Sequence, residues 1–203
     1  MTLCLKNLGF ERNNQCLLSQ INCVVNPGEC LQIYGANGSG KSTLLRIIAG
    51  FIEPHIGHVL WQDNCIFAKR DSYKENIHYV GHQNGIKPNL TVQENLQLSS
   101  ALMGKSVPPT GSLLTQIGLM HYRDTKAALL SAGQLRRLSL ARLLINTFKI
   151  WLLDEPLTAL DGVGQSLLTQ VLNQHLANGG IGILATHQAL PLAHPIKIIQ
   201  LGG

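Results

Sequence analysis

The segment 35–42, Gly-Ala-Asn-Gly-Ser-Gly-Lys-Ser, constrains this 203-residue chain more than any other stretch. It satisfies the pattern G-x-x-x-x-G-K-[ST], in which glycines let consecutive backbone N–H groups turn inward on one anion. An apolar run, Leu31-Gln32-Ile33-Tyr34, precedes it, and a helix-forming run over 43–50 follows. That order predicts strand, loop and helix, with the helix amino end adding partial positive charge where the loop converges. Residue usage alone would produce the four fixed positions in about one chain in a hundred of this length. The pattern therefore implies a bound nucleoside triphosphate, with Lys41 on the β- and γ-phosphates and Ser42 as a ligand for Mg²⁺.

Composition narrows the setting. Apolar residues make up 45% of the chain and charged residues 13%, which suits a globular domain with a partner surface. No apolar run approaches the ~18 residues of a membrane span, and no basic segment precedes an apolar stretch at the N-terminus. The expectation is a cytosolic protein, held at a membrane only through something else. Cys4, Cys16, Cys23, Cys30 and Cys65 are odd in number and contain no C-x-x-C pair, so they predict reduced thiols rather than a metal site or disulfides. The net charge of +5 is compatible with nucleic acid, anionic lipid or a nucleotide-binding face and decides nothing alone. Its basic residues are scattered without interleaved aromatics, which suits a solvated surface, and no nucleic-acid partner is expected.

Along the chain, β-like runs at 3–10, 17–25 and 30–34 are separated by turn signals, including Asn26-Pro27-Gly28-Glu29. Short strands are expected at 57–62 and 76–81. From 88 to 146 the periodicity becomes helical. Thr91 with Glu94 three residues on predicts a capping box. Pro108-Pro109 break the pattern and 113–119 resume it. Unbroken apolar runs at 150–153 and 181–185 predict strands buried on both faces of a parallel sheet, with a helix over 164–176 between them. A last strand is expected at 196–201. The fold class is thus α/β, with a phosphate-loop core, an N-terminal β layer and a helical insertion at 88–146.

Several residues gain meaning from their places in this order. Asp154-Glu155 close the strand at 150–153, where a carboxylate sits beside a nucleotide crevice; Asp154 is expected to hold Mg²⁺ and Glu155 to polarise the attacking water. Ser131-Ala132-Gly133-Gln134 open a helix and offer a second anion site of the same physics as the first. Alone, Ser131 is an ordinary N-cap; two such sites serving one nucleotide imply that the second comes from another chain. Gln83 follows a short strand and offers an amide oxygen to Mg²⁺ or the γ-phosphate. His187 ends the strand at 181–185 and offers the γ-phosphate a hydrogen bond, although a strand-end histidine alone is more often structural. Ala159-Leu160-Asp161 follow the acidic pair, as a helix cap or as a dimer contact.

Taken in order, these residues resemble the nucleotide-binding subunit of an ATP-binding cassette (ABC) transporter over essentially the whole chain. Residues 35–42 resemble the Walker A motif, Gln83 the Q-loop and 130–134 the LSGGQ signature. Residues 150–155 resemble Walker B with its catalytic glutamate, 159–161 the D-loop and His187 the switch histidine. The resemblance implies one ABC-type ATPase domain over 1–203. A RecA-like core with its β layer covers 1–87 and 147–203, and a helical subdomain covers 88–146. It assigns catalysis to Glu155 and His187, and Mg²⁺ to Ser42, Gln83 and Asp154. Nucleotide contacts fall on Gly35, Ala36, Asn37, Gly38, Ser39, Gly40, Lys41, Ser42 and Thr43, with Ser131, Ala132, Gly133 and Gln134. Two departures are visible: Ala132 replaces a signature glycine, and Arg12 stands where the family stacks an aromatic on adenine. A guanidinium plane stacks on a base as well. The implied assembly is a head-to-tail homodimer around two ATPs, docked on a separate integral-membrane permease at the cytoplasmic side of the inner membrane.

A narrower resemblance rests on Arg70-Asp71-Ser72-Tyr73, Gly81-His82-Gln83 with Gly85-Ile86-Lys87, residues 129–137, and 179–188. These are similar to the ATP-binding subunit of the cytochrome c maturation system, the haem exporter branch of the family. Rival expectations are a transporter of another cargo with the same chemistry, or a non-transport ABC protein acting on nucleic acid or ribosomes. The rival on nucleic acid usually carries fused cassettes or coiled-coil insertions, which this chain lacks. A P-loop small-molecule kinase leaves Ser131-Ala132-Gly133-Gln134 without a role.

Overall fold

The structure, a computed structural model, describes residues 1–104, 110–145 and 148–202. It begins with an antiparallel hairpin of β1 (Leu3–Arg12) and β2 (Gln15–Val25). The two loop residues, Asn13 and Asn14, have φ of 52° and 58°. Two consecutive left-handed residues form a type I′ turn, whose twist matches the strands and which asparagine tolerates. β4 (Ile56–Trp61) pairs with the other edge of β1, and β5 (Asn64–Cys65) completes the order β2-β1-β4-β5. Leu3, Leu5, Leu8, Leu18, Val25 and Val59 from this layer are buried.

The second sheet holds β3 (Cys30–Gly35), β6 (Ile77–Val80), β7 (Ile150–Asp154), β8 (Ile181–Ala185) and β9 (Ile196–Leu201), in the order β6-β7-β8-β3-β9. Every residue of β7 and β8 is buried, which is why both read as unbroken apolar runs. β9 sits at an edge and alternates, leaving Ile196 and Ile198 exposed. β3, β7 and β8 are parallel, with Asp154 opposite Ala185 and Ile33 opposite Ala185. Their carboxyl ends therefore lie along one rim, where the loops leading to α1 (Lys41–Ile48), to α6 (Gly162–Ala177) and onward from β8 all begin.

The chain clusters into two compact units. The first comprises Met1–Tyr79, Phe148–Pro156 and Leu172–Gly203, and holds both sheets, α1 and α2 (Arg70–Lys74). The second comprises Val80–Thr147 and Leu157–Val171. It is built on α3 (Val92–Leu102), α4 (Thr110–Gln116) and α5 (Ala132–Ala141), around a core that includes Val92, Leu96, Leu114, Leu119 and Leu138.

The expected strands and helices are present, with ends displaced by up to three residues, the largest shift being α4, which spans Thr110–Gln116 where 113–119 was expected. Neither β5 nor α2 was expected, since both are too short to show periodicity. The helix expected to carry Ile145 ends at Ala141 and tightens into a 3₁₀ turn over Arg142–Leu144. The break expected at Pro108-Pro109 lies outside the described residues.

Candidate nucleotide site

Gly35 delivers the chain from β3 into the loop, and the geometry there forbids a side chain. A Cβ on Gly35 would stand 2.3 Å from Ser39 Oγ and 2.6 Å from the Leu201 carbonyl. Gly38 and Gly40 take φ of 85° and 99°, values that suit glycine. Gly40 is the N-cap of α1 and supplies no side-chain cap, so the first N–H groups of that helix look into the loop uncapped. Ser39 Oγ is buried without a hydrogen-bond partner. An uncapped helix start, a glycine cradle and an orphan hydroxyl together suit a multiply charged phosphate chain. Ala36, Asn37 and Gly38 form the exposed rim, and Thr43 is half-buried on α1. From the β layer, Leu17 and Leu18 of β2 pack against Gly40, their nearest atoms 3.1 Å from where a Cβ would be.

Lys41 is 6% exposed and donates through Nζ to the carbonyls of Gly35 at 2.7 Å and Ala36 at 3.0 Å. Its distance to Glu155 Oε1, 3.6 Å, exceeds a hydrogen bond, so the two carbonyls fix the ammonium and the carboxylate adds a field. Ser42 Oγ donates to Asp154 Oδ1 at 2.9 Å, and Tyr79 Oη donates to Asp154 Oδ2 at 3.4 Å. Burial first, then the charge of Asp154, holds the Tyr79 phenol above its ordinary pKa, so it remains a donor. Glu155 follows β7 with φ of 47°, an uncommon conformation for a non-glycine residue, while its N–H still donates to the Ala185 carbonyl. Glu155 Oε1 lies 2.9 Å from His187 Nε2. The turn behind His187 is fixed by Thr186, whose Oγ1 donates to the Gln188 carbonyl and accepts from the Gln188 N–H. His187 itself is left exposed.

The oxygen set at Ser42 and Asp154, a hydroxyl beside a buried carboxylate, is hard and suits Mg²⁺. Among the described residues no group of three or more His, Cys, Asp or Glu side chains could hold a metal alone. A divalent ion here would thus rely on phosphate oxygens to complete its shell, which is how Mg²⁺ is ordinarily held with nucleotides.

In the second unit, Ser131 caps α5. Its Oγ accepts from the Gln134 N–H at 3.2 Å, and Gln134 Oε1 accepts from the Ser131 N–H at 2.8 Å. This closed capping box differs from the uncapped start of α1, and it takes up a Gln134 N–H that the sequence left free. Ser131 and Ala132 are exposed. Gly133 is small for a reason: a Cβ there would come within 3.0 Å of the Ala159 carbonyl. Asp161 Oδ2 lies 3.9 Å from Arg137 Nη2, and its Oδ1 accepts from the Gly164 N–H, an N-cap contact. Gln83 is exposed, on a loop fastened by Arg136, whose Nη1 donates to the Gly81 carbonyl at 3.1 Å and Asn84 Oδ1 at 3.3 Å.

The structure thus brings together Ser39, Lys41, Ser42, Asp154, Glu155 and His187. Arg12 is exposed at the end of β1, and its aromatic neighbour Phe10 stacks on His55 with ring centroids 4.6 Å apart. Sequence reasoning missed Tyr79, Asn84, Asn95 and Arg136. Their partners lie far along the chain or in loops without a motif, and only the Arg136-Arg137 doublet offered a signal.

A model of the family described as ABC transporter matches residues 18–158. The chain is 40% identical over 198 residues to the cytochrome c biogenesis ATP-binding export protein CcmA of Haemophilus influenzae, covering 97% of this chain and 93% of the relative. It is 43% identical over 200 residues to the protein of the same name from Vibrio cholerae, covering 97% of each. Among solved structures it is similar to a dimeric bacterial ABC transporter cassette, MJ0796. The TM-score is 0.80 at 26% identity, over 98% of this chain and 94% of that one. A second structure of that cassette, a dimeric post-hydrolysis state bound to ADP and Pi, gives a TM-score of 0.77 at 26% identity, over 92% and 88%.

Proposed function

The chain belongs to the ABC transporter ATP-binding family, and from that premise we propose that it is the ATP-hydrolysing subunit of an exporter serving c-type cytochrome biogenesis. What carries the chemical part is one carboxylate oxygen: Glu155 Oε1 stands 2.9 Å from His187 Nε2 and 3.6 Å from Lys41 Nζ, at the rim that also presents Ser42 and Asp154. What carries the pathway is 40–43% identity, over nearly the full length, to export proteins of that biogenesis system.

In this reading residues 35–43 wrap the phosphates with backbone N–H groups, and Lys41 turns from its two carbonyls toward the β- and γ-oxygens. Ser42 Oγ, Asp154 and the amide of Gln83 would hold Mg²⁺, which neutralises charge developing on the phosphates. Glu155 accepts a hydrogen bond from the attacking water and orients its lone pair along the line of the breaking bond. His187, hydrogen-bonded to the same carboxylate, donates toward the γ-phosphate. Arg12 lies across the base. Ser131, Ala132, Gly133 and Gln134 cap the γ-phosphate held by a second copy of the chain, so each site is completed by two protomers.

No helix among the described residues is long and apolar enough to cross a membrane. A separate membrane permease would supply the path, with this chain docked on its cytoplasmic face. The 1–87, 88–146 and 147–203 segments would act as core, helical subdomain and core again within one ATPase domain.

Glu155→Gln tests the chemistry. It should bind ATP, accumulate as a closed dimer and lose turnover by about 10²-fold or more; wild-type hydrolysis would remove Glu155 from its role. Deleting the gene tests the pathway, since covalently haem-bearing c-type cytochromes should disappear. Their persistence, or co-purification with a sugar or peptide permease, would assign another cargo.

A further inference from the structure

We propose that Arg136 is a positioning residue that locks the Gln83 loop onto α5, so that the Gln83 amide and the Ser131 cap move as one body. The inference rests on the roles proposed above for Gln83 and Ser131, and it names the physical link between them.

Arg136, Ser139 and Arg142 follow one another at intervals of three along α5 and the 3₁₀ turn that extends it, which aligns them in a single row. All three reach the same four-residue stretch. Arg136 Nη1 donates to the Gly81 carbonyl at 3.1 Å and Asn84 Oδ1 at 3.3 Å; Ser139 Oγ donates to the Asn84 carbonyl at 3.0 Å, and Arg142 Nη1 to the same carbonyl at 3.5 Å. Arg136 and Ser139 are 3% and 0% exposed, so these bonds form away from competing water. Gly85, with φ of 64°, lets the loop pass within 3.0 Å of Arg142 Nη1, measured from where a Cβ would stand. Beyond it, buried Asn95 of α3 accepts from the Lys87 N–H and donates to the carbonyls of Lys87, Leu90 and Thr91.

The arrangement grips both flanks of Gln83 and spares its side chain, which makes no hydrogen bond among the described residues and is exposed. Five residues before Arg136 on the same helix start stands Ser131. A rigid guanidinium fork, with its planar set of donors, transmits displacement more fully than a flexible ammonium, which keeps the charge and only part of the geometry. Whatever moves Gln83 therefore moves the cap offered to the second copy, and occupancy of one nucleotide site is felt at the other.

The test uses the full chain with MgATP, comparing wild type with Arg136→Gln, Arg136→Lys and Asn84→Ala. Arg136→Gln should keep ATP affinity within about twofold while kcat falls roughly tenfold, the loss expected for a charged hydrogen bond. The Hill coefficient should fall from about 2 toward 1, and amides over 81–85 should exchange faster with solvent while those of α3 and α4 do not change. Arg136→Lys should recover part of each effect. Asn84→Ala should reproduce them more weakly, and the double variant should be no worse than Arg136→Gln.

Wild-type turnover and cooperativity in Arg136→Gln would overturn the proposal. So would exchange raised throughout the second unit with no recovery by lysine, the mark of a merely structural arginine. If Arg136→Gln does not fold, Asn84→Ala decides alone, and wild-type behaviour there sinks the link. Failure of the underlying reading shows separately, as a wild-type chain that does not turn over ATP. The confined rise in exchange over 81–85 then still decides whether the lock exists.

Discussion

His175 lies with its imidazole flat on Trp151, ring centroids 3.8 Å apart and planes within 7°, and its Nε2 is 3.2 Å from the Ile181 carbonyl. Gly180 makes room for it: a Cβ there would stand 2.2 Å from the ring. Burial disfavours the imidazolium and pushes the folded pKa from the usual 6.5 down to about 4. The unfolded chain then binds the proton that the folded chain refuses. The stability associated with the neutral ring is complete above about pH 6.5, is lost as pH falls toward 4, and changes no further below that. The loss at pH 5 amounts to roughly 2 kcal/mol. His175→Phe keeps a flat ring on Trp151 and cannot titrate. Its unfolding free energy, measured by denaturant between pH 7.5 and 4.5, should fall less steeply than that of wild type by about one proton's slope. Parallel curves would show that His175 carries no such penalty.

At the scale of elements, two helices begin with the same device and should answer mutation differently. Thr91 caps α3 and Ser131 caps α5, each in a closed box with the residue three positions on. Replacing either cap by alanine removes one hydrogen bond to an N3 amide and should cost about 1 kcal/mol, read as a few degrees in Tm. Only Ser131→Ala should also lower ATP turnover, by tenfold or more, because only that hydroxyl is assigned to a nucleotide. Equal turnover in the two variants would reduce Ser131 to an ordinary cap. The box at Thr91 was legible in the sequence, since a Thr-x-x-Glu spacing is local chemistry. So were β7 and β8, whose burial on both faces leaves no polar position to interrupt the run. At Ser131 only the N-cap was expected, and its closure by Gln134 emerged with the structure. Other features needed the fold. The contact of Tyr79 with Asp154 spans 75 positions, and those of Arg136 with Gly81 and Asn84 span 55 and 52. Asn95 reads as a polar residue within a helix until the loop at 87–91 closes over it. Arg142 is similar: its burial, which lowers its pKa, follows from tertiary packing and not from its neighbours in sequence.

For the whole molecule, the decisive question is whether a working site is built by one copy or by two. Lys41 lies in the first compact unit and Ser131 in the second; under the proposed two-copy site, alanine at either position damages both sites of a homodimer. Mixing the two variants separates the possibilities. In a head-to-tail dimer of Lys41→Ala with Ser131→Ala, one site inherits both lesions. The other combines the intact loop of one protomer with the intact cap of its partner. Random exchange of subunits makes half of the dimers mixed, and each mixed dimer has one sound site in two. Turnover should therefore rise from two nearly inactive stocks to at most about a quarter of the wild-type value, the ceiling for sites that turn over independently, with coupling between the sites lowering it further. Were each site complete within a single chain, both variants would stay inactive in any company and mixing would restore nothing. Titrating one variant into a fixed amount of the other should give activity that peaks near equal proportions, a shape that contamination of either stock by wild type does not produce.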